Sequence, residues 1–178
     1  MVSAPTKVLV VDDHALFRDG LVALVGRWPD FEIGGTAANG AEAVREARRL
    51  KPDLILMDVR MEPMGGVEAT RIIRQENFEV KVVMLTMSNL GEDMYSALRV
   101  GAHGYVSKDE PADRLHGFLK DVMAGGTALS SDLAAKVLAE LSPVGHEPAR
   151  ATNQQHQNLT TREQDVLRLV VEGLSNEE

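Results

Sequence analysis

The chain has 178 residues, a formal net charge of −8 and a hydrophobic content of 44%. That length holds one domain of about 100–150 residues plus an appendage, and the acidic balance argues against broad, nonspecific attachment to nucleic acid or membranes. Cysteine is absent, which excludes disulfides and thiolate chemistry and is compatible with a reducing, cytoplasmic setting.

The first residues, Met1 to Thr6, carry no signal-peptide pattern. No apolar run approaches the roughly 18 residues of a membrane span. Lys7 to Val11 is a short apolar run that ends in Asp12-Asp13. His14 to Arg27 has apolar residues at helical spacing, and Trp28-Pro29-Asp30 breaks it. Phe31 to Thr36 reads as a second strand, and Asn39-Gly40 opens a helix over Ala41–Leu50. Asp53-Leu54-Ile55-Leu56-Met57-Asp58 is a buried strand closed by a carboxylate. A turn rich in glycine leads to a helix over about 67–75. Lys81 to Leu85 is a fourth strand ending in Thr86, followed by a helix over 92–100. Gly104 to Ser107 is a fifth strand ending at Lys108, and Ala112 to Met123 a fifth helix. Five alternations of strand and helix predict a doubly wound parallel sheet.

In such sheets ligands bind outside the carboxyl ends of the strands. If the first and third strands are neighbours, Asp12, Asp13 and Asp58 converge there. Three anions repel unless a cation holds them, and carboxylate oxygens with water suit Mg²⁺. Taken singly, each residue has a plainer reading. An Asp pair in a loop is usually solvated, a Thr at a strand end forms a turn, a Tyr in a strand is core, and a Lys after a strand is surface. His14 reads as a helix-start residue rather than a ligand. The methionines at 57, 61, 64, 84 and 87 read as packing. The order of the polar residues, each at a strand end, favours one site.

Beyond Gly125-Gly126-Thr127, Ser130 to Leu141 reads as another helix. Residues 142–158 are polar, with two prolines and no apolar period, and read as a linker. Thr160-Thr161-Arg162-Glu163 looks like a helix start, its apolar face supplied by Val166, Leu167, Leu169, Val170 and Val171. Gly173 ends it, and Ser175 to Glu178 begins another.

Val10-Val11-Asp12-Asp13-His14, Met57-Asp58, Thr86 and Tyr105 three residues before Lys108 resemble the receiver domain of two-component response regulators, over roughly residues 7–125. Leu159 to Glu163 and Gly173 to Asn176 resemble the start of a LuxR-type helix-turn-helix domain. Together they point to the NarL/FixJ group. The resemblance implies a sheet of order 2-1-3-4-5 and a domain division of 1–125, receiver; 126–158, linker helix and linker; 159–178, an incomplete helix-turn-helix. It implies that Asp58 is the phosphoryl acceptor and an exposed nucleophile. Asp13 and Asp58 would ligate Mg²⁺, with Asp12 acting through water and Arg60 giving its backbone carbonyl. Lys108 and Thr86 would contact the phosphoryl group, and Tyr105 would turn inward as Thr86 moves. The implied partners are a sensor histidine kinase, a second copy in a homodimer, and promoter DNA for a complete C-terminal domain, with no membrane.

Two departures qualify this. The turn after the acceptor is Met61-Glu62-Pro63-Met64-Gly65-Gly66, with its proline displaced by one and an added acid at Glu62. Asp109 stands where many receivers have proline, so no cis peptide is expected after Lys108. From Leu159 on, the residues contain Arg162 and Arg168 against five acids and no recognition helix, so these 178 residues by themselves are not expected to read DNA. A receiver acting only through protein contacts is the alternative. A phosphatase with an Asp nucleophile would need a second acid two residues on, but Arg60 stands there. A dinucleotide enzyme would need a glycine fingerprint after the first strand.

Overall fold

A computed structural model describes residues 4–77, 79–87 and 91–129. The expected helix over 130–141, the linker at 142–158 and the helix start at 159–178 lie outside the described residues. The described chain alternates strand and helix as expected: β1 (Thr6–Val11), α1 (Ala15–Val25), β2 (Phe31–Ala37), α2 (Gly40–Leu50), β3 (Leu54–Asp58), α3 (Gly66–Glu76), β4 (Lys81–Thr86), α4 (Gly91–Arg99), β5 (Gly104–Ser107), α5 (Ala112–Met123) and β6 (Ala128–Leu129). No helix among the described residues is long and apolar enough to cross a membrane.

All strands are parallel, in the order β2-β1-β3-β4-β5-β6. The first five follow the expected 2-1-3-4-5. The sixth is an addition that the sequence reading did not contain. Two residues are too short to show a period. β6 pairs because Gly104 leaves room: a Cβ on Gly104 would sit 2.8 Å from Ala128 Cβ.

The central strands are buried on both faces, which is why their sequences are continuous apolar runs rather than alternating ones. Every residue of β3 is buried, and Val8, Val10, Leu54, Leu56, Val83 and Leu85 form one core with Leu115, Leu119 and Val122 of α5. The edge strand β2 is mixed in exposure. Local signals set the helix boundaries. Asn39 caps α2 by accepting from Glu42 N–H at 2.9 Å, while Glu42 Oε2 accepts from Ala38 N–H at 2.8 Å. Lys51 ends α2 in the left-handed region at φ 47°. Among the described residues the cis peptide is Glu62–Pro63, in the altered turn, and none follows Lys108.

At the amino ends of β4 and β5, His103 joins the two strands. Its ring Nδ1 accepts from Val82 N–H at 3.2 Å, and its backbone N–H donates to Val82 O at 2.7 Å. Burial, reinforced by Arg74 and Lys81, depresses the imidazole to about 4 from its ordinary 6.5. A protonated ring would lose the Nδ1 acceptor. With the folded-state value below the unfolded one, the neutral ring contributes stability above pH 6.5, and that contribution is lost as pH falls from 6.5 toward 4. Urea unfolding is expected to lose on the order of 2 kcal/mol over that window, a figure reduced for the ring's partial exposure. In His103→Gln the slope in that window should flatten. An unchanged slope would remove His103 as its source.

Candidate functional site

The parallel register brings the polar residues together. Val11 pairs with Met57, Asp58 with Leu85, and Thr86 with Ser107. Asp12 and Lys108 each follow directly on a paired residue, so both stand at the same carboxyl edge as Asp58 and Thr86. The strand ends are tied by Val59 N–H to Leu85 O at 3.1 Å and Lys108 N–H to Thr86 O at 2.8 Å.

Asp12 is fully buried and Asp58 is 4% exposed. The Asp58 side chain is therefore sheltered, where an exposed nucleophile was expected. Its cover is Lys108, whose Nζ lies 3.1 Å from Asp58 Oδ2 and 2.6 Å from Asp12 Oδ2. The Lys108 side chain is itself only 3% exposed, and its ammonium sits 4.7 Å from the Phe17 ring centroid. A lysine after a strand would ordinarily be solvated. Here two buried carboxylates draw it in, because leaving either acid unpaired in the interior would cost several kcal/mol, on the order of 3–5. Burial pushes the Asp58 carboxyl above the ordinary carboxylate value. Lys108 opposes that push, Asp12 adds to it, and the Arg60 backbone N–H opposes it.

Asp13 stands outside this buried pair. It faces His14, whose Nδ1 lies 2.8 Å from Asp13 Oδ1 and 3.5 Å from Asp12 Oδ1. Asp12 also shapes the loop: its Oδ1 accepts from His14 N–H at 2.9 Å, and its carbonyl accepts from Arg18 Nη1 at 2.6 Å. Asp12, Asp13, His14 and Asp58 can each offer one ligand atom within 4.8 Å of the others. The oxygen-rich donor set suits a hard dication. Asp12 Oδ2 is buried and is paired with Lys108 Nζ at 2.6 Å.

Thr86 is 3% exposed at the end of β4, and Tyr105 is fully buried in β5. Tyr105 lies inward in this structure. Its hydroxyl is buried without a well-formed hydrogen bond. Burial pushes the phenol up. Thr86 and Arg60 oppose this, and Asp93 and Asp58 add to it. The Arg60 side chain reaches away from the acids to α4, where Nε and Nη2 donate to Asp93 Oδ2 at 3.1 and 2.9 Å. Sequence reasoning assigned Arg60 only a backbone role. No local signal connects residues 33 apart, so the bridge to α4 was not legible there.

The sequence matches the response regulator receiver domain over residues 8–120. This chain belongs to the response regulators. It is 38% identical over 173 residues to the nitrate/nitrite response regulator protein NarL of Escherichia coli strain K12, covering 97% of this chain and 78% of that one. It is 37% identical over 172 residues to the transcriptional regulatory protein LiaR of Bacillus subtilis strain 168, covering 97% and 79%. The crystal structure of a LuxR-family two-component response regulator from Aurantimonas sp. SI85-9A1 superposes with a TM-score of 0.74 at 33% identity, over 77% of this chain and 98% of that one. The regulator is thus a two-component protein of the NarL-like, LuxR-family group, its fold that of a receiver domain.

Proposed function

We propose that the regulator is a phosphorylation-dependent switch in which Asp58 accepts a phosphoryl group from a sensor histidine kinase with Mg²⁺ in the acid pocket. The observation that carries this is the Asp58 carboxylate at the end of β3, held 3.1 Å from a buried lysine and facing a second buried acid. A bare surface aspartate would need no such counter-charge.

In this reading an Asp58 carboxylate oxygen forms a bond to phosphorus while the bond from phosphorus to the donor breaks, and the donor leaves with the electron pair. Little covalent chemistry falls to the protein, so the work is positioning and charge. Lys108 serves as a point charge for the incoming phosphoryl oxygens, and Thr86 supplies a hydroxyl. Bound Mg²⁺ would supply charge neutralisation, held by Asp13, Asp58 and the Arg60 carbonyl, with Asp12 acting through water. Transfer turns over once per phosphorylation, so the protein is a switch rather than a turnover enzyme.

The proposed division is a receiver over 1–125, a linker helix and linker over 126–158, and the start of a helix-turn-helix over 159–178. Promoter DNA belongs to a complete helix-turn-helix module, and homodimer formation would accompany the phosphorylated state. Incubation with acetyl phosphate and Mg²⁺ should add the mass of one phosphoryl group, and omission of Mg²⁺ should prevent it. Uptake that is indifferent to the metal would count against the reading.

Transmission is proposed to run from Thr86 to Tyr105 and on to α4. Thr86→Ala should still take up the phosphoryl group, while the amide shifts that beryllofluoride induces over residues 91–106 should largely disappear. Equal shifts in both proteins would break the Thr86–Tyr105 link.

A further inference from the structure

We propose that Phe17 is a positioning residue for phosphoryl transfer, its ring holding the Lys108 ammonium in place beside Asp58. This rests on the reading that Lys108 meets the incoming phosphoryl oxygens.

An ammonium is a compact charge on a flexible stem, so its place is set only by what surrounds it. Lys108 Nζ has Asp12 Oδ2 at 2.6 Å and Asp58 Oδ2 at 3.1 Å. Its remaining close partner is the Phe17 ring, with the centroid 4.7 Å away. The ring comes from the first turn of α1, whereas the charged groups stand at strand ends. The Lys108 side chain is only 3% exposed, so the ammonium is largely stripped of water. A ring face attracts a desolvated cation more strongly than an exposed one.

Phe17 and Lys108 also line a shared cleft of about 360 Å³ between α1 and α5, together with Leu21, Leu115 and Glu110. Glu110 is the acid of that lining, and Arg114 Nε engages it at 3.0 Å. Bonding of an Asp58 oxygen to phosphorus takes that carboxylate away as a full ion-pair partner. The ammonium is then shared among Asp12, the phosphoryl oxygens and, across the cleft, Glu110. The Phe17 ring carries no charge and undergoes no chemistry. It holds Nζ equally before and after transfer, so the lysine stays where the phosphoryl oxygens arrive.

Phe17 also packs against the core, so the test has to separate bulk from the electron-rich ring face. It uses the 178-residue chain with acetyl phosphate and Mg²⁺. In NMR spectra of the wild type, the Phe17 ring current should move the Lys108 ε-methylene protons upfield of the ordinary lysine position. Phe17→Leu keeps an apolar body and removes the ring. Its limiting rate of uptake should fall about tenfold, with the donor concentration for half-maximal rate little changed. Replacing Phe17 with a trifluorinated phenylalanine keeps the shape and weakens the ring face. That protein should melt with the wild type yet take up phosphoryl groups about fivefold more slowly. An unshifted Lys108 methylene in the wild type overturns the proposal, as does a fluorinated protein as fast as the wild type. In either case Phe17 is packing only, and Asp58 as acceptor stands. A wild type that takes up no phosphoryl group at all removes the acceptor reading and the role of Phe17 with it.

Discussion

Asp58→Asn is expected to abolish phosphoryl uptake while making the protein more stable. The loss is complete because an amide offers no carboxylate oxygen to bond phosphorus, and no neighbouring acid occupies the same strand end. Asp12 is fully buried under Lys108, and Asp13 turns out toward His14. The gain follows from the electrostatics of the pocket. Burial and Asp12 push the Asp58 carboxyl up, so its ionised form is held at a cost. Removing that charge leaves Lys108 paired with Asp12 at 2.6 Å, so no lone buried cation results. A rise on the order of 1 kcal/mol at neutral pH is expected. Intact-protein mass spectrometry after acetyl phosphate and Mg²⁺, beside a urea unfolding curve, reads both effects. Residual phosphoryl incorporation in the variant would mean that the acceptor lies elsewhere. A clear fall in stability would mean that Asp58 is a net stabilising partner of Lys108.

Gly66→Ala should produce the largest stability loss of any single-methyl addition to the described fold. A Cβ on Gly66 would stand 1.9 Å from the Asp58 carbonyl oxygen, 2.9 Å from its carbonyl carbon and 2.9 Å from Met57 Cγ. Two of these are backbone atoms of β3, which cannot swing aside as a side chain would. Either α3 retreats and breaks the bond from Gly66 N–H to Val59 O at 3.0 Å, or the end of β3 shifts with its carboxylate. A cost of about 3 kcal/mol is expected, near 10 °C in melting temperature for a domain of this size. Phosphoryl uptake should fall with it. Gly20→Ala and Gly117→Ala give the contrast. Both glycines lie inside helices with nothing within 4 Å of an added Cβ, so both changes should stabilise by about 0.5–1 kcal/mol. Differential scanning calorimetry of the three variants checks the opposite signs. A Gly66→Ala melting point within a degree of the wild type would refute the close packing of α3 on β3.

The alternation of strands and helices was legible because each buried strand writes an uninterrupted apolar run and each helix a 3.6-residue period. Boundaries moved by a residue or so: the third strand starts at Leu54 rather than Asp53, and α3 starts at Gly66 rather than near 67. Asp58, Thr86 and Lys108 were legible as candidates because each is a polar residue that ends such a run. Asp12-Asp13 is read in the same way after the first strand. These are properties of consecutive residues, and a sequence states them directly.

The convergence of those residues was conditional in the sequence. It required β1 and β3 to be neighbours, and the pairing of Val11 with Met57 supplies that. The sequence could not say that Lys108 would be drawn under cover between Asp12 and Asp58, or that the acceptor would be sheltered rather than exposed. It was equally silent on the Arg60 bridge to Asp93, the two-residue β6, and the imidazole of His14 lying against the acids. All of these depend on distances between segments far apart in the chain, or on the direction a side chain takes from its backbone. Local propensity and periodicity carry no term for either. What the sequence by itself determined is which residues stand at the strand ends; the tertiary structure alone decided which of their charges meet, because burial makes an unpaired charge costly and only the packed fold says where the counter-charge is.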